Sequence, residues 1–93
     1  MTIVYAGCKW IVQLGDNGTL DTLIIVTRLK DRERFYETFD QEYAASWRKP
    51  SGEMTVQGLR DLGTEAIDAF LERETNEVAI AAINKLQAEG GRS

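Results

Sequence analysis

The sequence predicts an α+β fold in which an N-terminal antiparallel β-hairpin or three-stranded meander packs against C-terminal helices. Three observations predict it: apolar and polar residues alternate early in the chain, proline and glycine mark a central break, and helical periodicity follows. With 93 residues, 43% of them hydrophobic and 28% charged, the chain has the size and composition of one domain. We expect a single domain over residues 1–93, with a hairpin at about 2–29, an aromatic segment at 32–48 and a helical part at about 55–88.

The predicted hairpin turns at Asn17-Gly18, because this dipeptide tolerates the positive φ angles of a type I′ turn. The segment before it alternates apolar and polar residues, and the segment after it is rich in β-branched residues. A turn at this position would pair Val12 with Leu23 and Trp10 with Ile25. These pairs would give the hairpin one apolar face on which a helix can pack.

The aromatic segment holds five of the eight aromatic residues, namely Phe35, Tyr36, Phe39, Tyr43 and Trp47. Their spacing near four fits one face of a helix but also fits a strand, so residues 32–39 can be either. We expect a short helix over 40–48, capped by Asp40. The aromatic side chains either close the core over the hairpin or form, in part, an exposed recognition patch, since Tyr and Trp are favoured interface anchors.

The break at 48–52 contains the chain's one proline, and it should end any regular element before it. After the break, Thr55 is a candidate N-cap. The helix that follows either ends at Gly63, with a second helix after it, or continues with a weak point there. Asn76 is the expected cap of a last helix, and residues 89–93 are expected to fray.

The net charge of -4 belongs to the C-terminal half of the chain. Residues 1–49 contain seven acids and seven bases, whereas residues 50–93 contain eight acids and four bases. Four of these acids share one helical face, which we call the acidic stripe: Asp61, Glu65, Asp68 and Glu72. The stripe lies opposite the apolar positions of its own helix, so it is either a solvated helix face or a docking surface for a basic partner.

The residue types argue against catalysis. The chain has no histidine, which removes the commonest general base and metal ligand. Its one cysteine, Cys8, lies in a strand pattern, and neither a histidine nor a helix N-terminus is indicated beside it, as a catalytic thiol would need. The stripe carboxylates should face solvent, and no calcium loop, phosphate loop or dinucleotide motif is found. We therefore predict no catalytic residue, no cofactor and no metal site.

Composition also bears on nucleic acid, membranes and compartment. Four basic residues alternate between positions 28 and 34, so an extended segment would present them on one side, as a binder of single-stranded nucleic acid could. Acids interleaved among them, and a pI near 4.8, argue against direct nucleic-acid binding. The absence of a long apolar run, of a signal-peptide pattern and of a second cysteine predicts a cytoplasmic protein that does not enter membranes.

The leading hypothesis is a small acidic, non-enzymatic binding or regulatory protein that docks on a protein partner with a basic surface. In its sharpest form it is an inhibitor that occupies a nucleic-acid-binding surface, by analogy of size and charge with small acidic phage proteins. The predicted partner-binding residues are the acidic stripe together with Tyr36, Tyr43 and Trp47. The alternative is a structural or assembly subunit that forms a homodimer through apolar residues of the last helix, at positions 78, 79, 80, 83 and 86.

Overall fold

The protein is built from an antiparallel sheet, one short helix and one long helix. The computed structural model describes residues 1–16, 18 and 20–90, with side chains to residue 86. In spatial order the strands are β1 (Thr2–Tyr5), β2 (Cys8–Gly15), β3 (Thr22–Arg28) and β4 (Glu33–Phe39), and the helices are α1 (Gln41–Ala45) and α2 (Val56–Gly90). The α+β prediction is confirmed, with four strands where two or three were expected and one long helix in the C-terminal part.

The first predicted strand is in fact two strands joined by a tight turn. Tyr5 of β1 pairs with Cys8 of β2, which leaves a two-residue loop, Ala6-Gly7. Both loop residues have positive φ, 51° and 75°, as a type I′ turn requires. The turn predicted at Asn17-Gly18 falls partly outside the described residues, which lack Asn17, and Gly18 itself has a φ of 73°.

The pairing of β2 with β3 differs from the predicted one by three residues. The observed pairs are Val12 with Val26 and Trp10 with Arg28, in place of the predicted Leu23 and Ile25. Because successive side chains point to opposite faces, an odd displacement exchanges the two faces of β3. The core therefore receives Ile24 and Val26. The physical reason is a connection of six residues, 16–21, which is too long for a two-residue turn to set the register.

The aromatic segment divides into a strand and a short helix. Residues 33–39 form β4, which decides the alternative that the spacing left open. The Asp40 carboxylate accepts a hydrogen bond from the backbone N–H of Glu42 at 3.0 Å, so the predicted cap of α1 is confirmed. The break follows α1, and there a turn with Gly52 at a φ of 92° lies between Arg48 and Met54, which form an isolated β-bridge.

Helix α2 begins after the predicted cap, Thr55, and continues through Gly63 and Asn76, the two positions at which the sequence suggested a break. The Thr55 hydroxyl accepts a hydrogen bond from the N–H of Gly58 at 2.9 Å, which satisfies one of the first-turn donors. The helix continues through Gly63 and through Asn76, so the separate last helix was a wrong prediction. Residues 89 and 90 of the predicted frayed tail belong to α2, and residues 91–93 lie outside the described part of the chain.

The core lies between one face of the sheet and the first half of α2. Gly63 allows α2 to approach β2 closely, because a Cβ there would lie 2.7 Å from Cγ1 of Val12. The ring of Phe70 meets Trp10 and Phe35 edge-on, with centroids 5.7 and 5.5 Å apart. The buried apolar residues are Ile3, Trp10, Val12, Ile24, Val26, Ala44, Leu62, Ala66 and Ile67.

The second half of α2 extends beyond the sheet, and we call residues 75–90 the distal segment. The last helix residue that packs against the core is Leu71, and the described side chains from 75 to 86 are all exposed. The molecule is consequently elongated. Its radius of gyration is 17.2 Å, whereas a compact domain of this length would have one of about 12 Å. Among the described residues, no helix has both the length and the apolar character needed to cross a membrane.

Candidate partner-binding surface

The acidic stripe lies on the outward face of α2, the face turned away from the sheet. Glu65, Asp68 and Glu72 are exposed, and Asp61 is half-buried. The apolar residues of the same turns, such as Leu62, are buried against the sheet. The 3.6-residue period therefore separates a core face from an acidic face along this part of the helix.

Aromatic side chains hold three of the four stripe carboxylates. The indole Nε1 of Trp47 donates to Oδ2 of Asp61 at 3.2 Å. The hydroxyl of Tyr43 donates to Oε1 of Glu65 at 2.5 Å. The stripe and the C-terminal part of the aromatic segment, which the sequence offered as separate surfaces, are thus one hydrogen-bonded surface.

Tyr5 completes this surface and was not predicted from the sequence. Its hydroxyl donates to Oδ1 of Asp68 at 2.7 Å across 63 residues of sequence. Tyr5 ends β1, the strand missed in the sequence, so no pattern indicated that it would reach α2. Gln57 adds one further bond from within the helix, since its Nε2 donates to Oδ1 of Asp61 at 2.8 Å.

These bonds also change the acidity of the two tyrosines. The carboxylate of Asp68, by accepting the hydroxyl proton in a hydrogen bond, raises the pKa of Tyr5 above its ordinary value. Glu65 raises the pKa of Tyr43 for the same reason. Both hydroxyls therefore remain protonated at neutral pH and can donate to the carboxylates of Asp68 and Glu65.

Tyr36 lies apart from the other predicted site residues. It is on β4 opposite Ile25, on the sheet face that points away from α2, and is 55% exposed. Tyr43 is 43% exposed, whereas Trp47 and Phe39 pack against the core. The aromatic segment thus places some of its residues against the core and others at the surface.

Arg28 lies at the centre of a charge cluster, whereas the sequence indicated it only as one of four alternating bases. Its guanidinium donates to both carboxylate oxygens of Glu74, at 3.0 and 2.7 Å, and to both of Asp31, also at 3.0 and 2.7 Å. It also lies over the rings of Trp10 and Phe70, 5.8 and 5.0 Å from their centroids. It therefore combines ion pairing with cation–π contacts.

This cluster has two consequences for charge. Arg28 lowers the pKa of Glu74 and of Asp31, chiefly through its hydrogen bonds to them, and Glu74 and then Asp31 raise the pKa of Arg28. The four bases between positions 28 and 34 do not form a single line in the structure. Arg28 points to the helix, positions 30 and 32 lie in the β3–β4 turn, and Arg34 lies on the opposite face of the sheet.

Across residues 1–16, 18 and 20–90, no group of three His, Cys, Asp or Glu side chains is placed to hold a metal ion. Comparison with protein-family models, with curated proteins and with solved structures finds no match. The surface formed by α2 and the aromatic side chains that bind its carboxylates is therefore the candidate functional site.

Proposed function

We propose that this protein is a non-enzymatic regulatory protein that docks through its acidic stripe on a basic surface of another protein. The observation that carries the proposal is the set of hydrogen bonds by which Trp47, Tyr43 and Tyr5 hold three stripe carboxylates on an exposed helix face. Charges held in one orientation lose less conformational freedom on binding than mobile ones, so they favour docking.

The spacing of the stripe supports a partner that normally binds nucleic acid. Stripe carboxylates that are four residues apart lie ~6 Å from one another along the helix axis, which approximates the repeat of a phosphate backbone. A surface that binds phosphates offers Lys and Arg side chains complementary to such a row of charges. The protein would thus act as an inhibitor by occupying that surface.

The test compares two variants that each remove four charges. The stripe variant carries Asp61→Asn, Glu65→Gln, Asp68→Asn and Glu72→Gln, which keep a carbonyl oxygen to accept the aromatic hydrogen bonds. The control variant carries Gln in place of four glutamates outside the stripe: Glu33, Glu37, Glu42 and Glu53. Both are immobilised beside the wild type, incubated with nuclease-treated lysate of the source organism, and eluted with a salt step.

We expect the wild type and the control variant to retain the same protein, and moderate salt to release it because screening weakens exposed charge pairs. The stripe variant should lose that protein, and added single-stranded DNA should compete for it. Equal retention by both four-charge variants at low salt would show that the stripe does not bind the partner. Retention that DNA leaves unchanged would remove the nucleic-acid-binding site as the target.

A further inference from the structure

The distal segment carries an apolar groove that nothing in the described chain covers. The groove has a volume of about 340 Å³ and is lined by Glu74, Thr75, Val78, Ala79 and Ala82. One turn further, Leu86 is 68% exposed, and Val78 is 66% exposed. We call Thr75, Val78, Ala79, Ala82 and Leu86 the distal stripe.

The distal stripe does not continue the core face of α2. At ~100° per residue, the centre of the stripe lies about 145° around the helix from the residues that pack on the sheet. It therefore points away from the chain's own sheet, on the same side of the helix as the acidic stripe. The described sheet does not cover it, since the side chains from 75 to 86 are all exposed.

We propose that the occupant is a second copy of this chain, packed antiparallel along the distal segment. This inference goes beyond the docking function and involves a different surface. A helical stretch of this length without tertiary contacts is marginal in water, because most helical stability comes from packing of an apolar face. Pairing two distal segments gives each of them that packing.

Charge selects the antiparallel arrangement. A parallel pair would place the acidic stripes of the two copies at the same level, near the contact, and would bring like charges together. An antiparallel pair centred between positions 80 and 81 places the two stripes at opposite ends. It also brings Lys85 of one copy close to Glu74 of the other, since both lie on one flank of the distal stripe.

The side-chain sizes fit the same register. Leu86 of one copy packs against Thr75 of the other, and Val78 packs against Ala82, so that each large side chain faces a small one. Among the described side chains, those of the distal stripe are uncharged, and Lys85 and Glu74 lie at its rim. The distal stripe is therefore complementary to itself under a two-fold rotation, as an interface between identical subunits must be.

The first test uses a pair of adjacent alanines as matched substitutions. Ala82→Glu places a charge inside the contact, whereas Ala81→Glu places the same charge about 100° away, outside it. Sedimentation equilibrium of the full chain should show a reversible wild-type dimer. We expect Ala82→Glu to raise the dimer dissociation constant at least about tenfold, because it buries an unpaired charge, and Ala81→Glu to change it less than about twofold. A wild-type chain that stays monomeric up to about 1 mM, or equal effects of the two variants, would overturn the proposal.

The second test fixes the orientation with cysteines introduced into a Cys8→Ser background. With both Thr75→Cys and Leu86→Cys, an antiparallel pair brings the two positions within disulfide distance, and oxidation should give a covalent dimer. With Leu86→Cys alone, the two cysteines would be about 16 Å apart along the axis, so no covalent dimer is expected. Efficient cross-linking by Leu86→Cys alone would establish a parallel pair and overturn the antiparallel assignment.

Discussion

Arg28 donates hydrogen bonds to both carboxylate oxygens of Glu74, at 3.0 and 2.7 Å, at the level where α2 passes the end of β3. The same guanidinium binds Asp31 in the turn that follows β3. One side chain thus connects the sheet, the β3–β4 turn and the helix. The part of α2 that follows Glu74 begins at this attachment.

Replacing Arg28 should make the protein less stable at neutral pH and change its response to acid. Arg28 lowers the pKa of Glu74 and Asp31, so their stabilising effect is present above the ordinary pKa values of 4.5 and 3.8 and is lost as the pH falls through the lowered ones. Urea unfolding from pH 7 to about pH 3 should therefore show a difference between the wild type and Arg28→Met that shrinks on acidification.

The exposed Arg34 provides the matched control for this experiment. Arg34→Met removes the same charge from the sheet face opposite α2 and should cost less stability at pH 7. If the two variants lost the same free energy of unfolding at every pH, the loss would be due to the change in net charge and not to the ion pairs of Arg28.

The contribution of the tyrosine hydrogen bonds to stability should be measurable at alkaline pH. The pKa of Tyr5 is raised by Asp68 and that of Tyr43 by Glu65, so their contribution to stability is complete below the ordinary pKa of 10.0 and is lost as the pH rises through the raised values. Asp68→Asn should lower the ionisation midpoint of Tyr5, as followed by ultraviolet absorbance of tyrosinate. Glu72→Gln removes a stripe charge that accepts neither tyrosine hydroxyl and should leave the titration curve nearly unchanged. A midpoint that moves equally in both variants would point to net charge as the cause.

Gly63→Ala should destabilise the protein although alanine is the better helix former. The added methyl group would meet Val12 at 2.7 Å from Cγ1 and 2.9 Å from Cγ2, so helix and sheet would have to separate slightly. Overpacking of this kind costs about 1–3 kcal/mol, against a gain in helix propensity of about 1 kcal/mol. Val12→Ala should relieve the clash, so a double-mutant cycle by denaturant unfolding should give a favourable coupling. Additive effects would show that the two residues are not in close contact.

The two halves of α2 should differ sharply in their sensitivity to truncation. Leu62→Ala removes a fully buried side chain and should lower the free energy of unfolding by about 2–5 kcal/mol. Leu86→Ala, in a dilute monomeric sample, should change it by no more than about 0.5 kcal/mol. Amide hydrogen exchange should likewise be faster at 78–86 than at 62–71. A large loss with Leu86→Ala under monomeric conditions would mean that the distal segment packs on its own sheet.

The sequence predicted local elements better than their pairing. The Asp40 and Thr55 caps were predicted at the right positions because capping depends on one side chain and the next few backbone N–H groups. The register of β2 and β3 was wrong because Ile24, Ile25 and Val26 are consecutive apolar residues. Their run does not indicate which face is buried, and the length of the connection decided it.

The candidate surface shows the same division between local and long-range information. Helical periodicity alone located the acidic stripe on the outward face of α2. The aromatic partners depend on contacts across 14 to 63 residues of sequence, as between Trp47 and Asp61 or Tyr5 and Asp68. Gly63 looked like a helix end, yet its lack of a side chain serves the contact with Val12. Only the packing of the sheet on the helix distinguishes these roles.

Because α2 is continuous through Gly63 and Asn76, the distal segment is a helical arm that extends from the ion pair between Arg28 and Glu74, and this ion pair can act as its pivot. Glu74 lies 16 residues before Gly90, so the arm beyond the pivot is ~24 Å long. A tilt of ~10° at the pivot would move the tip of such an arm by ~4 Å, a displacement similar to the width of a side chain. Any event that weakens the ion pair between Arg28 and Glu74 would therefore cause a larger displacement at the far end of the helix than at the ion pair itself.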